Sequence, residues 1–267
     1  MKKGKLTVVG VGYHEDHITL GIKNILLSAD VILGHEKIVE AVQKFVSSSA
    51  RYIKDQKLRE EAGEMNDLRK LRARVAVDLA QDGNNVVYIS NGDPQIYSYA
   101  SPIVEEAAER GIEVEVLPGI SAAMVAGAML GAPFRQGFAI IGLYEDGVEE
   151  DEVYNKIRCG AQGNFVLVIL LPKHEIELYP ELFPEMDFPY LYPIKEKAWS
   201  RLLELQRLLL EHLPPSTPLA IITLPEEQTI TTLGEFHENI NKVSPYSTLV
   251  IGNKNTICYN NKFITKR

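Results

Sequence analysis

With 267 residues, the chain is long enough for one large domain or for two domains of ordinary size. Its composition, 45% hydrophobic and 24% charged, is that of a globular protein, and no apolar run approaches the roughly 20 residues of a membrane-spanning helix. The formal net charge of −8 argues against a general nucleic-acid-binding protein, because such proteins usually carry a basic face.

The start of the chain and its cysteines predict a cytoplasmic location. The apolar run after the basic start ends at Gly12, which is too short for a signal peptide. The chain has only two cysteines, Cys159 and Cys258, as expected for a reducing compartment, and a bridge between them stays an open alternative. A zinc site usually needs about four Cys or His ligands at short spacings. We therefore predict no metal site and no membrane association.

Strand and helix signals alternate through the first half of the chain. The predicted strands are Leu6–Val11, Asp30–Leu33, Arg51–Lys54, Val86–Ile89 and Glu113–Leu117. The predicted helices are Thr19–Ser28, Glu36–Val46, Leu58–Gln81, Ala100–Arg110 and Ala122–Leu130. This alternation predicts an α/β domain whose mostly parallel sheet is covered by helices on both faces.

Strands dominate after Gly131–Gly137, a stretch with the composition of an interdomain connection. The predicted strands are Phe138–Leu143, Phe165–Leu171, Leu219–Leu224, Ser247–Ile251, Thr256–Tyr259 and Phe263–Thr265. In this half, Lys195–Leu213 is the one long helix predicted, Glu145–Glu152 is predicted to be a solvated acidic loop, and Asn260–Asn261 is predicted to be a hairpin turn. We therefore predict two domains, 1–132 with the parallel sheet and 133–267 with a mixed sheet, and a cofactor cleft between them.

The most informative motif is Gly92-Asp93-Pro94, which follows the predicted strand Val86–Ile89. The carboxyl ends of parallel strands form the edge at which open α/β sheets bind ligands. Glycine permits a close approach of the backbone, and proline directs the exit of the chain. The motif predicts a ligand site at this edge of the sheet.

Two other patterns in the first loop are weaker signals. Gly10-Val11-Gly12 begins like a dinucleotide-binding motif, but the third glycine would fall at Glu15, and Glu15 and Asp16 would repel a pyrophosphate. His14 and His17 lie three residues apart, yet a metal site would need further ligands. A tight turn and a solvated loop are the favoured interpretations.

Two polar residues follow other predicted strands of the same sheet. His35 comes after Gly34, where it is either a hydrogen-bonded turn residue or a group that transfers protons. Ser121 ends Pro118-Gly119-Ile120-Ser121, where it either caps the next helix or contacts a ligand through its hydroxyl and backbone N–H. Both pairs of alternatives stay open.

With these motifs in order, the chain resembles the tetrapyrrole methylases, the class III S-adenosylmethionine-dependent methyltransferases. The matching stretches of the first half are Val8–Gly12 with Ile18–Leu20, Ala29–Ile32, Gly92–Pro94, and Pro118–Ala123 with Leu130–Pro133. In the second half, Gly163–Val168, Tyr246–Asn253, Thr256 and Phe263–Arg267 are similar to precorrin-3B C17-methyltransferases.

The resemblance implies a two-domain fold and methylation of a precorrin ring carbon in cobalamin (vitamin B12) biosynthesis, accompanied by contraction of the macrocycle. It implies S-adenosylmethionine as cofactor, S-adenosylhomocysteine as product, a tetrapyrrole substrate and a homodimer, for which the apolar stripe of the helix after Trp199 is the candidate interface. The implied cofactor-binding residues are Gly92, Asp93, Ile96, Ser121, Ala122, Leu171 and Pro225. His35 is the candidate catalytic residue for proton movement, and the candidates for binding substrate carboxylates are Lys37, Arg51, Lys54, Lys57 and Arg135.

The chain departs from the family pattern in its first loop, where Tyr13 and His14 replace the last two residues of Gly-x-Gly-Pro-Gly. Gln95 and Leu171 also differ from the residues expected after Gly-Asp-Pro and after the middle strand. Two alternatives therefore remain beside the precorrin enzyme. One is a methylase of the same fold with another acceptor, either a different precorrin or the protein modified in diphthamide synthesis. The other is a non-catalytic regulatory domain that binds S-adenosylmethionine or S-adenosylhomocysteine.

Overall fold

The computed structural model describes residues 4–54, 58, 65–144, 148–170, 192–224, 226–244 and 246–266. The chain forms two compact units, Met1–Ser121 and Ala122–Arg267. The stretch 131–137, predicted to be a connection, lies within the second of these units, and the boundary of the functional domains at residue 132 stays a prediction.

The first unit contains a five-stranded parallel sheet in its described part. Its strands are β1 (Lys5–Gly10), β2 (Val31–Gly34), β3 (Arg51–Lys54), β4 (Asn85–Ser90) and β5 (Val114–Leu117). Their order is β3-β2-β4-β1-β5, so β1 lies between β4 and β5. Because all the strands run the same way, the loops after β1, β4 and β5 leave the sheet side by side at one edge.

Helices cover both faces of this sheet. They are α1 (Leu20–Leu27), α2 (Glu36–Val42), α3 (Met65–Gln81) and α4 (Ala100–Glu109). Successive side chains of a strand point to opposite faces, so Val8 packs with α3 and α4 while Val9 packs with α1 and α2. The predicted α/β domain with a parallel sheet is confirmed.

The second unit is built on a mixed sheet. Its strands are β6 (Gly131–Ala132), β7 (Phe138–Gly142), β8 (Val166–Leu170), β9 (Pro218–Thr223), β10 (Glu227–Thr232), β11 (Ser247–Ile251), β12 (Thr256–Tyr259) and β13 (Lys262–Thr265). The larger sheet has the order β10-β9-β11-β8-β7, in which β7 and β8 are parallel and the other neighbours antiparallel. The predicted mixed sheet is therefore confirmed.

Three helices of the second unit pack on the two faces of this sheet within the described residues. They are α5 (Ala122–Leu130), α6 (Glu150–Gln162) and α7 (Tyr192–Leu210). Helices α6 and α7 bury their apolar faces against one face of the sheet, and α5 packs on the other. The apolar stripe predicted for α7 is thus largely core, although Trp199, Leu203 and Leu210 on the same helix are exposed.

The prediction of a loop over the whole acidic run was wrong, because Glu150–Glu152 form the first turn of α6. Acidic side chains are favourable at a helix N-terminus, where they face the positive end of the helix dipole. Val153, Ile157 and Ala161 then recur every four residues on the buried face of α6. Each fully buried Val or Ile side chain contributes about 1.5–3 kcal/mol, so this face holds the helix on the sheet. Residues 145–147 lie outside the described part of the chain.

A short sheet holds the stretch 131–137 in the second unit. Strand β13 pairs with β12 and, on its other side, with β6, so that Phe263 lies opposite Gly131. The hydroxyl of Thr265 donates a hydrogen bond of 2.6 Å to the backbone carbonyl of Pro133. Asn260 and Asn261 have φ angles of 48° and 57°, as a two-residue hairpin turn requires, which confirms the predicted turn.

Candidate functional site

Close backbone packing joins the three loops at the carboxyl edge of the first sheet. A Cβ atom on Gly10 would overlap the carbonyl oxygen of Gly92 and lie 2.7 Å from the amide nitrogen of Gly119. A Cβ on Gly119 would overlap the same carbonyl oxygen. Since a side chain does not fit at Gly10 or at Gly119, the loops after β1, β4 and β5 pack backbone to backbone.

Hydrogen bonds fix the first two loops against each other. The N–H of Gly92 donates to the carbonyl of Gly12 at 3.1 Å, and the N–H of Gly12 donates to the carbonyl of Gly92 at 3.4 Å. Both residues have positive φ angles, 68° for Gly12 and 60° for Gly92, in the region that glycine tolerates without strain. The close approach expected of Gly92 is therefore present.

Asp93 connects the second loop to the third. One carboxylate oxygen accepts hydrogen bonds from the backbone N–H of Gln95 at 2.9 Å and from its side-chain amide at 3.4 Å. The other oxygen accepts a hydrogen bond from the N–H of Gly119 at 3.3 Å. The side chain thus orders the turn and its neighbour, and direct contact of Asp93 with a cofactor stays a prediction.

Ile96 and Tyr97 continue the same turn. The N–H of Ile96 donates to the carbonyl of Asp93 at 3.2 Å, and the Ile96 side chain is half-buried. Tyr97 has a φ of 50°, in the left-handed region that a bulky residue rarely adopts. Such conformations cost roughly 1–3 kcal/mol and are often found at ligand sites.

Tyr13 packs against this turn, a contact that the sequence analysis did not predict. Its hydroxyl oxygen and its Cε2 atom each lie 3.1 Å from the position of a Cβ on Gly92. The side chain keeps 37% of its surface exposed, while desolvation by burial raises the pKa of its hydroxyl to about 12. The replacement of the family's proline by Tyr13 is the sequence signal that points to this residue.

His14 and His17 hold the first loop in shape. The N–H of Tyr13 donates to Nδ1 of His17 at 3.2 Å, and the N–H of Asp16 donates to Nδ1 of His14 at 3.3 Å. Both imidazoles therefore act as hydrogen-bond acceptors for backbone groups of a short 3₁₀ turn. Over the residues that the structure describes, no group of three or more His, Cys, Asp or Glu side chains is arranged to bind a metal.

His35 caps helix α2 immediately after strand β2. Its Nδ1 accepts a hydrogen bond from the N–H of Lys37 at 3.3 Å, and its Nε2 lies 3.7 Å from a carboxylate oxygen of Glu36. Its side chain keeps 24% of its surface exposed. These contacts match the turn-residue alternative, whereas proton transfer by His35 stays a prediction.

Of the other four proposed cofactor residues, the structure describes two. Ser121 is buried, and it immediately precedes α5, whose first residue, Ala122, is half-buried. Leu171 and Pro225 lie outside the described residues. The contribution of these four residues to cofactor binding stays a prediction.

Among the basic candidates, Arg51 and Lys54 lie at opposite ends of β3. Arg51 begins β3 opposite Val31, at the amino-terminal edge of the sheet, where its guanidinium donates to the Asn84 side chain at 3.2 Å. Lys54 ends β3 at the carboxyl edge and forms an ion pair of 3.4 Å with Glu40.

For the remaining basic candidates, the structure gives only the exposure of two side chains. Lys37 and Arg135 are exposed, and Lys57 lies outside the described residues.

A groove of about 530 Å³ beside α2 is lined by Glu15, Glu40, Ala41, Gln43 and Lys44. Its two carboxylates make it unsuitable for a ligand that carries several carboxylates.

Comparison with known families identifies the type of fold and its relatives. The model of the family described as Tetrapyrrole (Corrin/Porphyrin) Methylases matches residues 5–237. The chain is 28% identical over 276 residues to a cobalt-factor III methyltransferase of Priestia megaterium, a match that covers 99% of this chain but 45% of that protein. It is 26% identical over 269 residues to a probable cobalt-factor III C(17)-methyltransferase of Salmonella typhimurium, covering 98% of both chains.

Solved structures show the same fold. The methyltransferase CobJ superimposes with a TM-score of 0.77 at 21% identity, over 98% of this chain and 100% of that chain. A uroporphyrin-III C-methyltransferase from Thermus thermophilus, solved with S-adenosylhomocysteine, gives a TM-score of 0.64 at 21% identity, over 93% of this chain and 92% of that chain. The predicted two-part tetrapyrrole-methylase architecture is therefore confirmed.

Proposed function

We propose, from the premise that the chain belongs to the tetrapyrrole (corrin/porphyrin) methylases, that it transfers a methyl group from S-adenosylmethionine to carbon 17 of a precorrin-type tetrapyrrole in cobalamin biosynthesis. The observation that carries this proposal is the match to the Salmonella protein, which spans nearly the whole of both chains and is named for that reaction. The relatives' names favour the cobalt-containing cobalt-factor III as substrate over metal-free precorrin-3B.

The backbone surface at the carboxyl edge of the first sheet suits the cofactor. Gly10 and Gly119 pack against backbone atoms of the neighbouring loops, and Gly92 has a positive φ, so this edge is built of backbone without side chains at these three positions. Gly92, Asp93 and Ile96 would hold the cofactor at this surface. Ser121, Ala122, Leu171 and Pro225, which the resemblance adds, belong to the same proposal.

The protein contributes to methyl transfer mainly by positioning the two reactants. When bound, S-adenosylmethionine supplies a methyl group already activated by its sulfonium. The attacking atom is an electron-rich ring carbon, so the reaction needs no Cys or Ser nucleophile from the protein. Holding the reactants in line contributes roughly 7–11 kcal/mol in favourable cases. We assign the movement of a proton at the macrocycle to His35.

Lys54 is the basic candidate at the correct edge of the sheet for the substrate carboxylates. Its ion pair with Glu40 is exposed, and such pairs are worth only about 0–1 kcal/mol, so Lys54 can exchange this partner for a ligand at little cost. Lys37, also exposed, follows β2 at the same edge. Arg135 belongs to the second unit and is retained as a further candidate.

A homodimer in the cytoplasm is part of the same proposal. Trp199, Leu203 and Leu210 form an exposed apolar stripe on α7, which suits an interface between two copies. Within the described residues, none of the helices combines the length and the apolarity that a membrane crossing requires. Sedimentation equilibrium at micromolar concentration tests the dimer, and a monomer at all concentrations would contradict it.

The test of the function has two stages. Titration calorimetry with S-adenosylhomocysteine measures binding by the wild-type protein. Incubation with S-adenosylmethionine and cobalt-factor III, followed by mass spectrometry of the tetrapyrrole, measures transfer of one methyl group and contraction of the ring. A protein that neither binds S-adenosylhomocysteine nor methylates the tetrapyrrole would contradict the proposal. Binding without turnover on any tetrapyrrole would favour the regulatory domain, and turnover on another precorrin or on the diphthamide-type protein acceptor would favour a same-fold methylase with that acceptor.

A further inference from the structure

Tyr13 stands out at the candidate site because its hydroxyl group has no hydrogen-bond partner within the part of the chain that the structure describes. The hydroxyl oxygen lies 3.1 Å from the position of a Cβ on Gly92, directly beside the turn that would hold the cofactor. Among the described residues, the backbone N–H of Tyr13 has a hydrogen-bond partner, His17, but its hydroxyl has none. Because 37% of Tyr13 is exposed and its hydroxyl has no partner among the described residues, the hydroxyl is available to a ligand that accepts a hydrogen bond.

The side chain is held in place by its own loop. The hydrogen bond from the N–H of Tyr13 to Nδ1 of His17 fixes the backbone before the 3₁₀ turn, and the pair of hydrogen bonds between Gly12 and Gly92 fixes the loop on the neighbouring strand. The ring packs on the Gly92 turn through contacts within the protein itself. Such preorganisation reduces the entropy that a ligand contact costs.

The charge around Tyr13 works against an anionic ligand. Glu15 and Asp16 follow in the same loop, and Asp93 lies in the adjacent turn, so a carboxylate bound here needs a hydrogen-bond donor to offset their repulsion. Glu15 already forms an ion pair with Lys44. A phenol whose pKa is about 12 stays protonated at neutral pH and donates a hydrogen bond without adding charge.

We propose that the hydroxyl of Tyr13 donates a hydrogen bond to a carboxylate of a ligand bound at the Gly92 turn. This inference rests on the proposed methyltransferase function, in which two molecules bring carboxylates to the site. One is the amino-acid portion of the cofactor, and the other is the set of acidic side chains on the tetrapyrrole. Tyr13 thus supplies a side-chain hydrogen-bond donor at a position where the usual loop has a proline, which has no donor.

The test compares Tyr13→Phe with the wild type. The variant keeps the ring and removes only the hydroxyl group, and a far-UV spectrum and thermal unfolding establish that it folds. Calorimetry measures the Kd for S-adenosylhomocysteine, and steady-state methyl transfer measures KM and kcat for cobalt-factor III. Tyr259→Phe, an exposed tyrosine of the C-terminal hairpin, is the matched control.

The two sources of the carboxylate give different results. A bond to the cofactor raises the Kd for S-adenosylhomocysteine roughly tenfold to a hundredfold, the usual effect of losing a hydrogen bond to a charged group. A bond to the tetrapyrrole leaves that Kd unchanged and raises KM by a similar factor, with kcat little affected. Wild-type values in both measurements would overturn the role of Tyr13 while leaving the methyltransferase intact. A wild type that neither binds nor turns over would overturn both proposals.

Discussion

A carboxylate oxygen of Asp93 accepts a hydrogen bond from the backbone N–H of Gly119 at 3.3 Å, although the two residues belong to different loops. The other oxygen accepts from the N–H of Gln95 at 2.9 Å. Asp93 therefore shapes the surface on which we propose the cofactor binds, whether or not it also contacts the cofactor.

Replacing Asp93 by Ala removes both acceptors at once. We expect the free energy of unfolding to fall by about 1–3 kcal/mol, because hydrogen bonds to a charged group are lost. We also expect the affinity for S-adenosylhomocysteine to fall at least about tenfold, since the Gly119 loop loses its support. Urea unfolding and calorimetry measure the two effects. Glu109→Ala, an exposed carboxylate on α4, is the control, and equal behaviour of the two variants would contradict the role assigned to Asp93.

A second prediction concerns the contact between backbones at Gly119. Gly119→Ala places a methyl group on the carbonyl oxygen of Gly92, so the loops must separate. We expect a destabilisation of about 1–3 kcal/mol, typical of overpacking, together with loss of S-adenosylhomocysteine binding. Thermal unfolding and calorimetry check both.

Gly21→Ala is the matched control for this variant. Gly21 lies in α1, and a Cβ there meets nothing closer than 3.9 Å. We expect this variant to be neutral or more stable by up to about 1 kcal/mol, because alanine favours helix. If Gly119→Ala behaved in the same way, the close packing of the three loops would not be needed.

The raised pKa of Tyr13 predicts a specific alkaline behaviour. The pKa of its hydroxyl is about 12 in the folded protein and near 10 in an unfolded chain, so between these values the unfolded state releases the proton first. Stability from this group is fully present below pH 10 and is lost as the pH rises through 12.

Comparison of the wild type with Tyr13→Phe isolates this effect. The shift corresponds to at most about 2.7 kcal/mol, and since 37% of Tyr13 is exposed we expect roughly 1 kcal/mol. Urea unfolding at pH 9 and again at about pH 11.5 measures it. Tyr154 and Tyr246, whose pKa values burial also raises, are present in both proteins and cancel in the difference. Parallel loss of stability in the two proteins would show that Tyr13 ionises normally.

The strands that carry the candidate site were predictable from the sequence because β1 and β4 are largely apolar and β5 is rich in valine. The strand Val86–Ile89, followed by Gly92-Asp93-Pro94, indicated a ligand-binding edge, and the order of β4, β1 and β5 places that edge beside Gly10 and Gly119. The periodicity of a sequence does not show which loops lie next to each other, because residues far apart in the chain can be close in space. The contact of Tyr13 with Gly92 was missed for this reason.

Two elements of the second unit were missed for different physical reasons. Strand β10, Glu227–Thr232, is an edge strand of mostly polar residues, so it lacks the apolar alternation of a half-buried strand. Helix α6 begins with acidic residues that resemble a solvated loop until Val153 and Ile157 are considered together.

The pairing of β13 with β6 sets an order of events during synthesis. Every strand of the first sheet has been translated once residue 117 leaves the ribosome, so that sheet can form while the rest of the chain is still being made. The strand at 131–132, in contrast, waits for Phe263 and Ile264, and the Pro133 carbonyl waits for Thr265. A ribosome that stalls after residue 250 would therefore present a nascent chain with a finished first half and an unfinished second one.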